Sequence, residues 1–280
     1  MRRIAVLGSF DDIRSRHIRF LQEAARLGDL HLLLWSDAAV RSLEGRDPEF
    51  PQEERLYLLQ AIRFVRQAVI IGAPTGQDGL RLPNGIRPDL WALPPWEAPW
   101  EDSAAQRAFA GARGIPVRAI GEEQLQGFPV AVDAGSAQGP AAPPRKKVIV
   151  TGCFDWFHSG HVRFFEEVSG LGDLYVVVGH DANILLLKGE GHPLFPQDER
   201  LYLVHAVRHV REALISSGMG WLDAEPEIRR LRPDIYAVNE DGDKPEKREY
   251  CRQGGIEYVV LKRTPKEGLP RRQSTALRGF

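Results

Sequence analysis

The chain contains itself twice. FPQEERLYL at 50–58 returns as FPQDERLYL at 195–203, with Glu53 exchanged for Asp198. Gly28-Asp29-Leu30 returns as Gly172-Asp173-Leu174, and Arg87-Pro88-Asp89 as Arg232-Pro233-Asp234. Order and spacing hold with only small insertions, which a duplicated domain produces and chance does not. Whatever fold one copy adopts, the other must share, and both must fit within 280 residues. Between them, DAGSAQGPAAPPRKK at 133–147 is rich in Ala, Gly and Pro and almost lacks large apolar residues. That is linker composition. The expected division is a first domain at 1–132, a linker at 133–145 and a second domain at 146–280.

Within the second copy, strand and helix patterns alternate. Short apolar runs predict strands at Val148–Thr151, Leu174–Val178, Ala213–Ser216, Ile235–Val238 and Glu257–Leu261. Helical spacing predicts helices over 159–169, 196–211, 223–231 and 244–254, with a loop running from Gly179-His180-Asp181 to Lys188-Gly189. Repeated βαβ units predict an α/β fold: two tandem Rossmann-like domains, each a doubly wound parallel sheet. Such sheets bind ligands beyond the carboxyl ends of their strands, where strand order reverses.

One segment sits at that place. After Val148-Ile149-Val150 the chain reads GCFDWFHSGH, residues 152–161. A strand, a glycine turn and a His-x-Gly-His at a helix start make a phosphate site, because unpaired N–H groups and the positive helix end face the anion. Gly152 permits a close turn, and Gly160 is expected to leave room for phosphate between two imidazoles. His158 and His161, three apart, share one helix face. Two imidazoles aimed at one anion can steady the charge that builds up in phosphoryl or nucleotidyl transfer.

GCFDWFHSGHVRFFEEV resembles the first motif of the cytidylyltransferase-like nucleotidyltransferases, and the resemblance runs through most of residues 146–280. It implies transfer of a nucleotidyl group from a nucleoside triphosphate to a phosphate monoester, with release of pyrophosphate. On this reading His158, His161 and Lys188 are catalytic. Gly152, Cys153, Phe154, Asp155 and Gly160 of the motif contact the nucleotide. Asn239 and Asp241, after the fourth strand, stand where relatives carry an acidic turn. In the tail RTPKEGLPRRQSTALRGF, Arg263, Arg271, Arg272, Ser274 and Thr275 stand where relatives hold the β- and γ-phosphates. Asp181, Arg200 and Arg208 are acceptor-binding candidates. Arg200 is retained in the first copy as Arg55 and Arg208 as Arg63, which favours a structural role for at least one of the pair. The resemblance also implies Mg²⁺ with the triphosphate. CTP is the expected donor and ATP its alternative, with a polyol, amino-alcohol or sugar phosphate as acceptor. A non-catalytic nucleotide-binding regulatory protein is the alternative of another class.

The first copy departs where the chemistry lies. Its GSFDDIRSRH places Arg14 at the position of His158 and Arg16 at that of Gly160, while His17 matches His161 and Glu44 replaces Lys188. An arginine in place of Gly160 would fill the phosphate space, so this copy is expected to be degenerate. Its expected role is that of a pseudo-dimer partner within a chain that is possibly monomeric. Lys244, Lys247 and Arg248 put cations at a helix start, against the dipole preference, which hints at an anionic ligand.

Composition excludes other classes. With 37 Lys and Arg against 38 Asp and Glu, nothing argues for general nucleic-acid binding. Two cysteines, Cys153 and Cys251, show no metal-ligand spacing and no disulfide framework. No apolar run reaches the ~18 residues of a membrane span, and MRRIAVLGSF does not read as a signal peptide. A cytoplasmic location is the expectation.

Overall fold

The computed structural model describes residues 1–74, 80–83, 85–96, 103–130, 145–273 and 277. Apart from residue 145, the expected linker lies outside the described residues, as do Ser274 and Thr275. The chain divides into two compact units, Met1–Gly127 and Phe128–Phe280.

The first unit has strands β1 (Arg3–Gly8), β2 (Asp29–Trp35), β3 (Val65–Ile71), β4 (Leu90–Leu93) and β5 (Val117–Ala119). Its helices are α1 (Ser15–Ala25), α2 (Asp37–Glu44), α3 (Gln52–Ala61) and α4 (Ser103–Ala112). All strand pairs are parallel, in the order β3-β2-β1-β4-β5. The second unit repeats this with β6 (Lys147–Gly152), β7 (Asp173–Val178), β8 (Val210–Ile215), β9 (Ile235–Asn239) and β10 (Glu257–Leu261), ordered β8-β7-β6-β9-β10. Its helices are α5 (Ser159–Ser169), α6 (Asp181–Lys188), α7 (Gln197–His205), α8 (Glu225–Leu231) and α9 (Pro245–Gly254). Two doubly wound Rossmann-like sheets result, as the alternating pattern requires. In the second unit the strand order reverses between β6 and β9, and a crevice opens there.

Val148, Ile149 and Val150 are fully buried in the central strand. Each such side chain contributes roughly 1.5–3 kcal/mol by leaving water. The repeated landmarks are joints of this frame. A Cβ on Gly172 would lie 2.1 Å from the Lys146 carbonyl oxygen, and one on Gly28 would lie 2.2 Å from that of Arg2. Only glycine passes there. Asp234 accepts the Lys147 N–H at 2.7 Å, as Asp89 accepts that of Arg3 at 2.8 Å, so each Arg-Pro-Asp ties the start of the central strand.

Two elements differ from the sequence expectation. The helix expected over 196–211 ends at His205, and β8 starts at Val210. Val207 and Val210 are buried, but in a turn and a strand, so apolar spacing continued helically past the helix. The expected loop before Lys188 is helix α6. Leu185, Leu186 and Leu187 are exposed on it, which hides any amphipathic signal. His180 caps α6 instead, its Nδ1 accepting the Asn183 N–H at 3.3 Å while Nε2 meets the Gly218 carbonyl at 2.8 Å. Among the described residues no helix is long and apolar enough to cross a membrane.

Candidate active site

A cavity of about 320 Å³ opens beyond the carboxyl ends of β6 and β9. Its floor begins at Gly152. The Phe154 ring folds back so closely that a Cβ on Gly152 would lie 2.8 Å from it. That fold-back puts Phe154 at φ +53°, a left-handed conformation rare for a bulky residue, and Phe10 repeats it at φ +49°. Strain kept at one turn in both copies shows that the surrounding structure enforces it.

The turn delivers His158 as the N-cap of α5. Its Nδ1 accepts the Gly160 N–H at 3.1 Å. A nitrogen that accepts carries no proton, so the neutral ring holds its proton on Nε2 and can donate there. The His161 ring stacks on it, with centroids 4.0 Å apart and planes 19° from parallel. Phe154 meets His161 edge-on at 5.3 Å and Phe157 stacks on its other side at 5.7 Å. This corrects one expectation: no phosphate fits between rings in contact. Gly160 is needed instead because a Cβ there would press the His158 ring at 2.9 Å. An anion must approach the imidazole edges.

Both rings are held neutral. Burial, then Arg263 and Arg272, lower His158 to about 3. Burial, then His158, Arg263 and Lys188, push His161 well below its ordinary value. The His161 Nδ1 is buried and, among the described residues, has no hydrogen-bond partner. In the first unit the matching His17 Nδ1 accepts the Arg14 N–H at 3.0 Å. Buried polar atoms are nearly always paired, so an orphan in a cavity asks for an explanation.

The neutral histidines predict an acid-labile fold. Unfolded histidine titrates near 6.5. Folded His158 takes its proton only near 3, so the folded chain binds fewer protons in between. Stability from this site is complete above about pH 6.5 and drains as pH falls toward 3. His17, lowered to about 4 chiefly by burial, adds the same sign in the first unit. Urea titrations from about pH 7 down to pH 4 are expected to give a falling midpoint that His158→Asn partly flattens. An unaltered slope in that variant would remove His158 as a cause.

The structure brings most of the sequence candidates to this cavity. Gly152, Cys153, Phe154, Asp155, Gly160 and His161 line it, as do Lys188, Asn239, Asp241 and Arg263. Arg263 pairs with Asp241 at 2.5 Å and donates to the Arg272 carbonyl at 3.1 Å, which holds the tail across the mouth of α5. Arg271 is half exposed and 3.8 Å from Glu240; with Arg272 it lines a smaller recess behind Gly160. Burial raises the Cys153 thiol, which leaves it a packing residue rather than a nucleophile.

Three assignments need correction, and a fourth residue, Asp155, has a structural task as well. Arg200 is fully buried and donates to the carbonyls of Phe195, Cys153 and Gly179 and to Asp181 at 2.6–2.9 Å. It locks three loops together and cannot reach an acceptor. Asp181 is its counter-ion and accepts the Gln197 N–H at 3.2 Å, so it too is structural. Arg208 is exposed and does not line the cavity. Asp155 does line it, but its Oδ1 accepts the Leu194 and Phe195 N–H groups at 2.7 and 3.1 Å. Asp11 does the same for Glu49 and Phe50, and Arg55 repeats Arg200 with Phe50, Ser9 and Asp37. Their retention in both copies is therefore about loop geometry.

Sequence reasoning missed other lining residues. Thr151 bonds the Tyr236 hydroxyl at 2.8 Å, Trp156 meets Phe195 edge-on at 5.6 Å, and His192 lies 3.8 Å from Asp155. Thr151 and Trp156 belong to the same strand and turn as the motif, whereas His192 is carried to the crevice by the separate loop between α6 and α7.

The first unit has filled the same place. Ile4 pairs with Leu90 as Val148 pairs with Ile235, so counting onward sets Trp96 where Asp241 stands. The Trp96 ring meets His17 at 5.3 Å and Phe20 at 5.4 Å. Arg16 does not enter the phosphate space as expected. Its guanidinium lies 4.8 Å over the Trp96 ring and pairs with Glu122. Arg14 turns to Asp12 at 2.7 Å, and Glu44 is buried beside Arg46.

A family model for cytidylyltransferase-like proteins matches residues 149–264. A FAD synthase of Ferroglobus placidus is 37% identical over 125 residues, which cover 44% of this chain and 78% of the relative. A FAD synthase of Methanoculleus marisnigri is 34% identical, covering 41% of this chain and 76% of the relative. A third, of Methanocella paludicola, is 33% identical over 47% of this chain and 93% of its own length.

Proposed function

We propose a function from one premise: the chain belongs to the cytidylyltransferase-like family, and is a nucleotidyltransferase. The second domain transfers an adenylyl group from ATP to a small phosphate monoester and releases pyrophosphate. The observation that carries this reading is the neutral His161 imidazole, which lines one cavity with Lys188 and Arg263 and is stacked on the buried ring of His158 at the α5 N-terminus. Cytidine was the base expected from the motifs. The name FAD synthase among the relatives favours adenosine. FAD is AMP joined through a pyrophosphate bridge to flavin mononucleotide, which is itself a phosphate monoester. We therefore take ATP as donor and flavin mononucleotide as the first acceptor to test, with CTP the competing donor.

An acceptor phosphate is already anionic and needs no base. One of its oxygens attacks the α-phosphorus, the bond to the β-phosphate oxygen breaks, and pyrophosphate leaves with that electron pair. The chain's task is to align the two anions and offset the charge that grows on the α-phosphate. Nε2–H of His158 and the His161 ring donate at the α-phosphate. The α5 N–H groups, Lys188 and Arg263 serve the triphosphate. Mg²⁺ would neutralise the leaving pyrophosphate. Asp155 and Asp241 are the cavity's carboxylates, both engaged by the protein, and no group of three ligating side chains occurs among the described residues. This suits an ion carried mainly by phosphate oxygens and water. The first domain, with Trp96 in place, serves as a scaffold.

The test is pyrophosphate release with Mg²⁺, for ATP and CTP crossed with flavin mononucleotide and a panel of polyol, amino-alcohol and sugar phosphates. Release is expected with ATP and one acceptor. Release with CTP alone reverses the base assignment. Tight nucleotide binding without release from any pair favours a regulatory protein.

A further inference from the structure

The cavity carries a lysine that the mechanism above does not use. Lys247 stands on the third residue of α9, partly buried on the β9 side, and lines the same space as His161 and Lys188. Among the described residues no carboxylate lies within ion-pair distance of it. Its Nζ lies 5.8 Å from the centre of the Tyr236 ring. Lys244 and Arg248, its cationic neighbours on α9, are exposed, and Arg248 is neutralised by Asp243 at 2.5 Å.

Accounting for the cavity's other charges isolates it. Arg263 is compensated by Asp241. Asp155 is occupied by two backbone N–H groups and faces His192. Among the described residues, neither the Lys188 nor the Lys247 ammonium has a carboxylate within ion-pair distance. Lys188 ends α6, an exposed side chain at the rim. Lys247 is the more buried of the two; burial, reinforced by Lys244 and only partly opposed by the more distant Asp223 and Asp241, pulls its ammonium below the usual range. A partly desolvated cation without a counter-ion is costly unless something anionic completes it. The first unit, where Trp96 packs on His17, has lost both. Glu44 replaces Lys188, and the third residue of α4 is Ala105.

We infer that Lys247 is a substrate-binding residue that takes a phosphoryl group on the β9–α9 wall of the cavity, opposite Lys188. The group belongs either to the nucleotide or to the acceptor, since both are phosphate anions. The inference rests on the nucleotidyltransferase reading only for the identity of those anions; the binding of phosphate to Lys247 stands apart from turnover.

The experiment is calorimetric titration of the full chain with ATP, flavin mononucleotide, inorganic pyrophosphate and inorganic phosphate, repeated on Lys247→Met and Lys247→Arg. Methionine keeps the apolar stem and removes the charge; arginine keeps the charge. A charge-assisted hydrogen bond lost to methionine is expected to weaken at least one of these anions about 10- to 100-fold, with arginine recovering most of it. Weakening confined to ATP and pyrophosphate assigns the nucleotide; weakening confined to flavin mononucleotide and phosphate assigns the acceptor. Equal affinities in native chain and Lys247→Met, with the variant's melting unchanged, overturn the inference, as does a native chain that binds none of the four. Should Lys247→Met fail to fold, Lys247→Gln and saturation of the Lys247 side-chain resonance by pyrophosphate decide it instead. Anion binding that depends on Lys247 in a chain that never releases pyrophosphate upholds the inference and refutes the catalytic reading.

Discussion

His161→Ala is expected to lower the rate of pyrophosphate release by about 10²- to 10³-fold, the usual loss when one donor to a developing oxyanion is removed. The loss should fall on kcat, with the KM for ATP moving little, because the contact strengthens only as charge grows on the α-phosphate. His161 is sandwiched between His158 and Phe157, with Phe154 at its edge. Alanine therefore also leaves a hole, and His161→Gln separates packing from chemistry. A fall in kcat that both variants share identifies the ring as catalytic. Retention of more than about a tenth of the native rate in both would reduce His161 to packing and leave the α5 N–H groups and the cations as the machinery. Its neighbour behaves differently. His158 also caps the helix through Gly160, so its variants should lose stability as well as rate.

The largest loss of stability is expected at Arg200. Its guanidinium is completely buried and holds three carbonyls and one carboxylate. Arg200→Met removes the cation, strands those acceptors and leaves Asp181 without its counter-ion. Asp181 is partly exposed, so the cost falls mainly on the stranded carbonyls, at about 1–3 kcal/mol for each acceptor left unsatisfied. Denaturant unfolding followed by calorimetry would read the loss. Arg200→Lys should recover little, because an ammonium cannot reproduce the planar fork that meets Phe195, Cys153 and Gly179 together. Arg55→Met makes the matching prediction for the first unit, where Phe50, Ser9 and Asp37 take the same places. If Arg200→Met unfolds with the native midpoint, the loops do not depend on it, and an acceptor role returns to consideration.

These two residues show how far a sequence can be read. Both lie in motifs that are visible without any structure, and only His161 lines the cavity. His158-x-Gly160-His161 after an apolar strand carries its meaning locally: strand, turn and helix start are set by neighbouring residues. FPQDER is equally conspicuous, yet it is repeated because Arg200 must reach loops 21 and 47 residues away. A side chain that ties distant carbonyls looks from its sequence like one that binds a ligand. The helix α6 escaped for another reason. Its three leucines are exposed, so the period that marks an amphipathic helix is absent, and its cap is a histidine held by Gly218 from the far side of β8.

By itself the sequence determined the duplication, the parallel α/β architecture and the glycine turn that leads from β6 to the start of α5, because repeat, alternation and glycine spacing are local properties. Tertiary structure decided the rest. It stacked two imidazoles that the spacing had only placed on one face, and it withdrew Arg200 into the core. It also set Trp96 against His17 in the first unit while leaving a cavity with Lys247 in the second. Each of those outcomes depends on which loops meet at the carboxyl ends of β1 and β4, or of β6 and β9. That meeting is fixed by the order in which parallel strands pair, and strands 85 or more residues apart in the chain leave no local trace of it.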